Sequence, residues 1–305
     1  MSSSDSLNLE YTEPPGFFPI YRRLVFGRRA KFHAPDGLPK FRATWSGARA
    51  EQDRVARYCA ACSLEYDGHY PLLYPHILTS AIHLDMMSKP EFPLSPMGAV
   101  HSRNHIIQHA PIPVDAALDI TCELTTTRVL KQGVEFEVST TLELAGARIW
   151  ESISAYLVRG KKFGDPGESS PLAELPDLGD RDEENTWPVP KDMGWRYAKI
   201  TGDFNPIHIS KILAKFMGFN RDLIHGMWSA AQCVGHSPTP SPDGPVQADL
   251  IFKGPVYMES TSTMKSQVAD DGTLFELYCD DNPRPCIRGR VQPVAPGSQL
   301  VSGGA

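Results

Sequence analysis

A chain of 305 residues with 41% hydrophobic content is long enough for two domains of ordinary size and has the composition of a globular protein. Its formal net charge of -6 argues against bulk nucleic-acid binding, although local basic patches could still meet a phosphate-bearing ligand. The start, MSSSDSLNLEYTEPP, lacks the apolar core of a secretory signal, and no later apolar run approaches the roughly 18 residues of a membrane span. The expected location is therefore the cytoplasm. Six cysteines, mostly in apolar segments, suit a reducing compartment better than a disulfide framework.

In chain order, residues 1 to about 15 read as unstructured. FFPIYRRLVFGRRAKF then mixes aromatics with Arg22, Arg23, Arg28, Arg29 and Lys31, a pattern that is either a solvated basic face or a contact for ligand phosphates. Asp53 to Leu64 reads as helix, with Cys59 and Cys62 as buried helix cysteines rather than a redox or zinc pair. YPLLYPHILTSAIHLDMM is an apolar run of helix length. His69, His76 and His83 recur through it every seven residues, near one face, as packing rather than metal ligands. Gly98 to Ile112 reads as a strand, followed by TCELTTTRVL, GVEFEVSTTLEL and ARIWESISAYLVRG, each rich in β-branched and aromatic residues. His101, His105 and His109 share a face of the first of these strands, but no Asp or Cys completes a metal set at ligand spacing. Gly164 to Pro190 is rich in Pro, Gly and acids and reads as a linker. Beyond it come a helix at Trp195, a helix at MWSAAQCV and strands near VQADLIF, STSTMKSQVA, TLFELYC and CIRGRVQPV, before a mobile tail.

The second half repeats the first. HIIQHAPIPVDAALDITCEL matches DLIFKGPVYMESTSTMKSQV at a constant offset of 144, which puts Pro111 on Pro255 and His105 on Asp249. YPHILTS lies over IHGMWSA. Tyr58 to Pro75 takes 17 steps where Tyr197 to His225 takes 28, so the first copy lacks eleven residues that the second possesses. The expected units are residues 1–163, a linker at 164–190, a second unit at 191–295 and a tail at 296–305.

Those extra residues lie in the most specific stretch of the chain, YAKITGDFNPIHISKILAKFMGFNRDLIHGMW. Asn205 followed by Pro206 is a strong helix start, because Asn caps free N–H groups and Pro at the first position sacrifices no hydrogen bond. Asp203 and His208 then flank one turn. Ile209, Ile212, Leu213 and Phe216 recur at helical spacing after it, and Gly218 offers the left-handed residue that ends a helix. The N–H of Gly226 would open a second helix, a ready position for an oxyanion donor.

Tyr197, Thr201, Gly202, Asp203, Asn205, Pro206, Ile207, His208, Gly218, Phe219, Ile224, His225, Gly226 and Met227 together resemble the motif of the MaoC-like, or R-specific enoyl-CoA hydratase, branch of the hot-dog superfamily. The resemblance implies an α+β double hot-dog fold, two antiparallel sheets each wrapped around a central helix, in which only the second unit does chemistry. It implies an acyl-CoA thioester as substrate and hydration of a trans-2-enoyl-CoA to the (3R)-hydroxyacyl-CoA, or the reverse. Asp203 and His208 would hold one water and share the acid and base roles, and Gly226 N–H would meet the enolate oxygen. Asn205 would shape the turn and His225 orient the loop. Tyr74, Ile77, Leu78, Ile82 and Met86 are candidate walls for the acyl tail, in space left by the missing turn. No metal or organic cofactor is needed, since the substrate carbonyl is the electron sink. A homodimer of double hot-dog chains would be in keeping with the superfamily. Two other readings fit the same fold, an acyl-CoA thioesterase and a non-catalytic hot-dog protein that binds acyl-CoA or a partner.

Overall fold

The structure, a computed structural model, describes residues 7–34, 37–96, 98–160, 163–170, 173–179, 183–237, 244–269 and 272–301. The first six residues and the SGGA end of the expected tail lie outside the described residues. The first half runs β1 (Leu7–Tyr11), α1 (Phe17–Phe26), β2 (Phe41–Ala48), α2 (Gln52–Ala61), α3 (Tyr74–Ser88), β3 (Val100–Gln108), β4 (Leu118–Leu130), β5 (Gly133–Leu144) and β6 (Ala147–Arg159). The second half runs β7 (Glu183–Pro188), α4 (Met193–Thr201), α5 (Pro206–Ile209), α6 (Lys211–Phe216), α7 (Gly226–His236), β8 (Val246–Phe252), β9 (Thr261–Ala269), β10 (Gly272–Cys279) and β11 (Ile287–Pro293). Among the described residues no helix is long and apolar enough to cross a membrane.

The strands form one eleven-stranded sheet in the order β1-β2-β4-β5-β6-β3-β8-β11-β10-β9-β7. Pairing is antiparallel except for β1, which lies parallel to β2 at one edge. Each half contributes a block of strands and one long helix, α3 or α7, and the halves meet edge to edge where β3 pairs with β8. This is the double hot-dog arrangement. α3 is buried on almost every face, including Tyr74, Ile77, Leu78, Ile82 and Met86, and each such aliphatic side chain contributes about 1.5–3 kcal/mol by leaving water. One core serves both halves: Tyr58 of α2 packs on Tyr74 and Tyr197, and Trp228 Nε1–H of α7 donates to the Ala61 carbonyl at 2.7 Å.

The junction carries the mark of the repeat. In the β3–β8 register His105 stands directly opposite Asp249, the residue that the offset makes its counterpart, so the local two-fold axis passes through this pair. In a homodimer such an axis would set a side chain against its own copy. Within one chain the two positions can differ, and a histidine meets a carboxylate at 2.8 Å with both buried. Burial alone would raise the Asp249 carboxyl, but hydrogen bonds from His105, Gln247 and Arg290 outweigh it and hold the group below its usual range.

Three sequence readings need correction. Two strands precede the first long helix: β1 lies within the segment read as unstructured, and β2 buries alternate residues Phe41, Ala43 and Trp45 against the core. The acidic stretch 164–190 is not all connector, because β7 extends the second half's sheet by pairing with β9. Its earlier part is tied down as well, with Gly167 N–H donating to the Val129 carbonyl and Arg288 donating to Pro176 and Asp177. The basic segment after residue 16 is only partly a solvated face. Arg23 bonds Asp85 and Ser88, and Arg29 donates to the Met87 and Leu94 carbonyls, so α1 is fastened to the end of α3.

Candidate active site

α4 ends at Gly202, whose φ of 82° is a left-handed conformation natural to glycine. The position is also tight, since a Cβ there would fall 2.0 Å from the Phe17 ring of α1. The chain then makes a hydrogen-bonded turn: Asp203 N–H donates to Thr201 Oγ1 at 3.2 Å, and Asp203 Oδ1 accepts from Asn205 N–H at 3.1 Å. Asn205 caps α5 through the N–H of Ile207 at 3.4 Å, with Pro206 at the first position, and places His208 one turn later. The expected single helix is broken at Ser210, which is extended (φ -147°, ψ 116°) and caps α6 through the N–H of Leu213. Ile212 (79% exposed) and Phe216 (93% exposed) therefore face outward instead of joining a core.

Backbone carbonyls fix both histidine tautomers. His208 Nδ1–H donates to the Leu223 carbonyl at 2.8 Å, leaving Nε2 with a free lone pair. His225 Nε2–H donates to the Asp203 carbonyl at 2.9 Å, which ties the start of α7 to the turn carrying the acid. The two rings stack with centroids 3.8 Å apart, and Asp203 Oδ2 lies 3.8 Å from His225 Nε2. Ligating atoms of Asp203, His208 and His225 all lie within 4.8 Å of one another, close enough to share a water or other small ligand. Burial pushes His208 below the usual imidazole value, an effect that the Asp203 charge and the Leu223 hydrogen bond partly offset. His225 is pushed down to about 3, first by burial and then by the adjoining His208 ring, against the pull of Asp203. Both rings are thus neutral near pH 7, and the Asp203 side chain is half-exposed beside them.

Gly226 is the first residue of α7, where a helix leaves its N–H without an intrahelical acceptor, and no backbone hydrogen bond among the described residues uses it. A Cβ on Gly226 would press on the Phe252 ring at 3.1 Å. Asp203, Asn205, His208, His225 and Gly226 all line one cavity of about 300 Å³ between the two halves.

The acyl-wall residues fare differently. Ile77 lines the cavity, but Tyr74, Leu78, Ile82 and Met86 face the core, and His76, Ser80, His83, Leu84 and Met87 take the cavity side of α3. A helix buried all round offers no apolar stripe from which to choose its open face. His76 and His83 are accordingly cavity residues, not packing alone. His101, His105 and His109 do not share a face. A register shift between His101 and Arg103 turns His101 toward the cavity, while His105 meets Asp249 and His109 meets Glu151. The six cysteines are free and buried, and burial pushes the Cys59 thiol up to about 11, as expected of inert helix cysteines.

Two contributors carry no sequence pattern. Phe17 packs under Gly202 and lines the cavity. Arg54 of α2 donates to the Ile200 carbonyl at 2.6 Å and the Thr201 carbonyl at 3.3 Å, so the first half caps the helix that leads into the acid turn.

Residues 178–280 match the family model described as MaoC like domain. The chain carries a MaoC-like dehydratase domain. A curated relative, 3-hydroxyacyl-thioester dehydratase X of Mycobacterium tuberculosis (strain ATCC 25618 / H37Rv), is 28% identical over 263 residues, covering 86% of this chain and 92% of the relative. A crystal structure of HtdX from the same organism superposes with a TM-score of 0.70 at 24% identity, over 83% of this chain and 100% of that one. A MaoC-like dehydratase from Phytophthora capsici gives 0.65 at 17% identity, over 84% and 94% of the two chains. The full-length peroxisomal multifunctional enzyme type 2 of Drosophila melanogaster gives 0.62 at 14% identity, over 84% of this chain and 48% of that one. The MaoC-like domain thus contains the whole acid turn and the start of α7, while α3 and β6 of the first half close the cavity opposite.

Proposed function

We propose that this protein adds water across the double bond of trans-2-enoyl-CoA thioesters to give (3R)-3-hydroxyacyl-CoA, or catalyses the reverse dehydration. The observation that carries this reading is the convergence on one cavity of a carboxylate, a histidine with a free Nε2 lone pair and an unpaired helix N-terminal N–H. Hydration needs a base for water, an acid for C2 and a donor for the oxygen that becomes an enolate. Asp203 and His208 Nε2 hold the water between them and divide the proton transfers, each contributing about 10² to 10⁴. Gly226 N–H receives the thioester oxygen, a contribution of about 3 kcal/mol to the transition state. His225 holds the acid turn against α7 through the Asp203 carbonyl. The name of the mycobacterial relative, a 3-hydroxyacyl-thioester dehydratase, points to the same substrate class.

The test is incubation with crotonyl-CoA and octenoyl-CoA while enoyl absorbance and free thiol are followed together. Loss of absorbance without thiol, with a 3R product on chiral analysis, is the expected result. Released thiol would mean a thioesterase, and no change in either signal would mean a binding protein.

A further inference from the structure

The cavity is mostly apolar, but one stretch of its first-half wall is not. Beside Ile77, Leu84 and Met87, the first half presents His76, His83, His101 and Tyr156 to it. None of these takes part in the acid–base step. They form a built wall: His83 lies 3.0 Å from Tyr156 Oη and 2.8 Å from Thr140 Oγ1, and His76 Nδ1 lies 3.3 Å from Ser154 Oγ. The His101 ring stacks on His76 and on Tyr156, with centroids 5.0 Å away in each case.

Burial pushes all three imidazoles down, His76 to about 4 and His83 to about 3, so the wall offers hydrogen bonds without charge. His83 has used both ring nitrogens. His101 Nε2 is buried with no partner, and His76 has only Nδ1 engaged among the described residues. A buried nitrogen left unbonded costs free energy; His101 Nε2 is already in that state, and a methylene chain lying against His76 would leave its second nitrogen there too. A hydroxyl, which donates and accepts, satisfies either tautomer, and a keto oxygen satisfies an N–H.

We propose that the acyl chains this protein takes carry an oxygen, as hydroxyl or ketone, where the tail passes His76 and His101. The inference rests on the hydratase reading for which end of the ligand lies here, because the thioester carbonyl is assigned to Gly226. A plain chain would be accepted only by leaving water on the wall, which reduces its affinity relative to an oxygenated one.

The test separates the two ideas by using saturated ligands, which cannot be hydrated. Binding of octanoyl-CoA is compared by calorimetry with hydroxyoctanoyl-CoA isomers bearing the hydroxyl on each carbon from the fifth to the eighth. At least one isomer should bind about tenfold more tightly than octanoyl-CoA, the value of one good uncharged hydrogen bond. The advantage should shrink in His101→Phe and His76→Phe, which keep an aromatic ring in the stack and whose folding is checked by melting. Octanoyl-CoA binding as tightly as every isomer would overturn the inference. So would an advantage undiminished in both folded variants, and if those variants do not fold, the wild-type comparison decides. A binding preference without turnover of any 2-enoyl-CoA would sink the hydratase reading alone, whereas turnover without the preference would sink this inference alone.

Discussion

Gly194 offers a way to move His208, the proposed catalytic histidine, without touching it. It is the second residue of α4 and is buried, and a Cβ there would lie 2.0 Å from the His208 backbone oxygen, 3.1 Å from its carbonyl carbon and 2.5 Å from Met258 Cε. The methionine can swing aside. The carbonyl cannot, because α5 is only four residues long and is pinned at both ends, by the Asn205 cap and by the His208–Leu223 hydrogen bond. Restoring ordinary carbon–oxygen contact requires a shift of roughly 1 Å, and a misplacement of that size costs about 10²-fold in rate. Stability should change much less: alanine is favoured over glycine in a helix by about 1 kcal/mol, which offsets part of an overpacking cost of about 1–3 kcal/mol. Gly194→Ala should therefore lower kcat for 2-enoyl-CoA hydration about a hundredfold, read by enoyl absorbance, with only a small fall in melting temperature. A folded variant with wild-type kcat would refute the claim that the α4–α5 contact positions His208.

Other outcomes follow from the same geometry. Arg54→Met removes two bonds to the end of α4 and should cost about 1.5–3 kcal/mol in denaturant unfolding, with a loss of turnover because the acid turn is the next segment; unchanged values of both would discount the cap. His76, His83 and His225 are held neutral in the fold at about 4, 3 and 3, whereas the unfolded chain binds their protons near pH 6.5. The stability they contribute is present above about pH 6.5 and is lost as pH falls toward the folded values, by up to about 1.4 kcal/mol per group per pH unit. Melting temperature should drop steeply from about pH 6.5 to about pH 5, and a flat profile would contradict their burial as neutral rings. His225→Ala should reduce turnover less than His208→Ala, since His225 ties down the acid turn with Nε2 and its other nitrogen, Nδ1, is buried away from the cavity; a larger loss at His225 with unchanged melting would reverse the two roles.

What was legible in the sequence was what needs special residue types close together. The left-handed Gly202, the Asn205 cap, Pro206 and the HGM start of α7 each admit few alternatives, so one linear stretch specified the acid, the histidine and the N–H. The offset that aligned His105 with Asp249 also identified the two residues that meet on the local axis. Ser210 before KILAKF was a readable capping signal that the run of apolar residues masked. α3 was legible as a helix but not in its orientation, because a helix buried all round has no moment to show which side is open. His101 does not share a face with His105 because one irregular step in β3 reverses the alternation that the sequence pattern implies. Phe17 and Arg54 reach the acid turn across more than 140 residues, a contact that local patterns cannot carry.

In the proposed mechanism Asp203 exchanges protons with the water added to the substrate. Asp203→Asn tests it with little disturbance, because an asparagine oxygen can still accept the Asn205 N–H and preserve the turn, yet cannot take a proton. The measurement is kcat for hydration of a 2-enoyl-CoA by the purified variant, alongside its melting temperature. The expected result is a loss of about 10² to 10⁴ with the melting temperature unchanged. Wild-type turnover by the folded variant would contradict it.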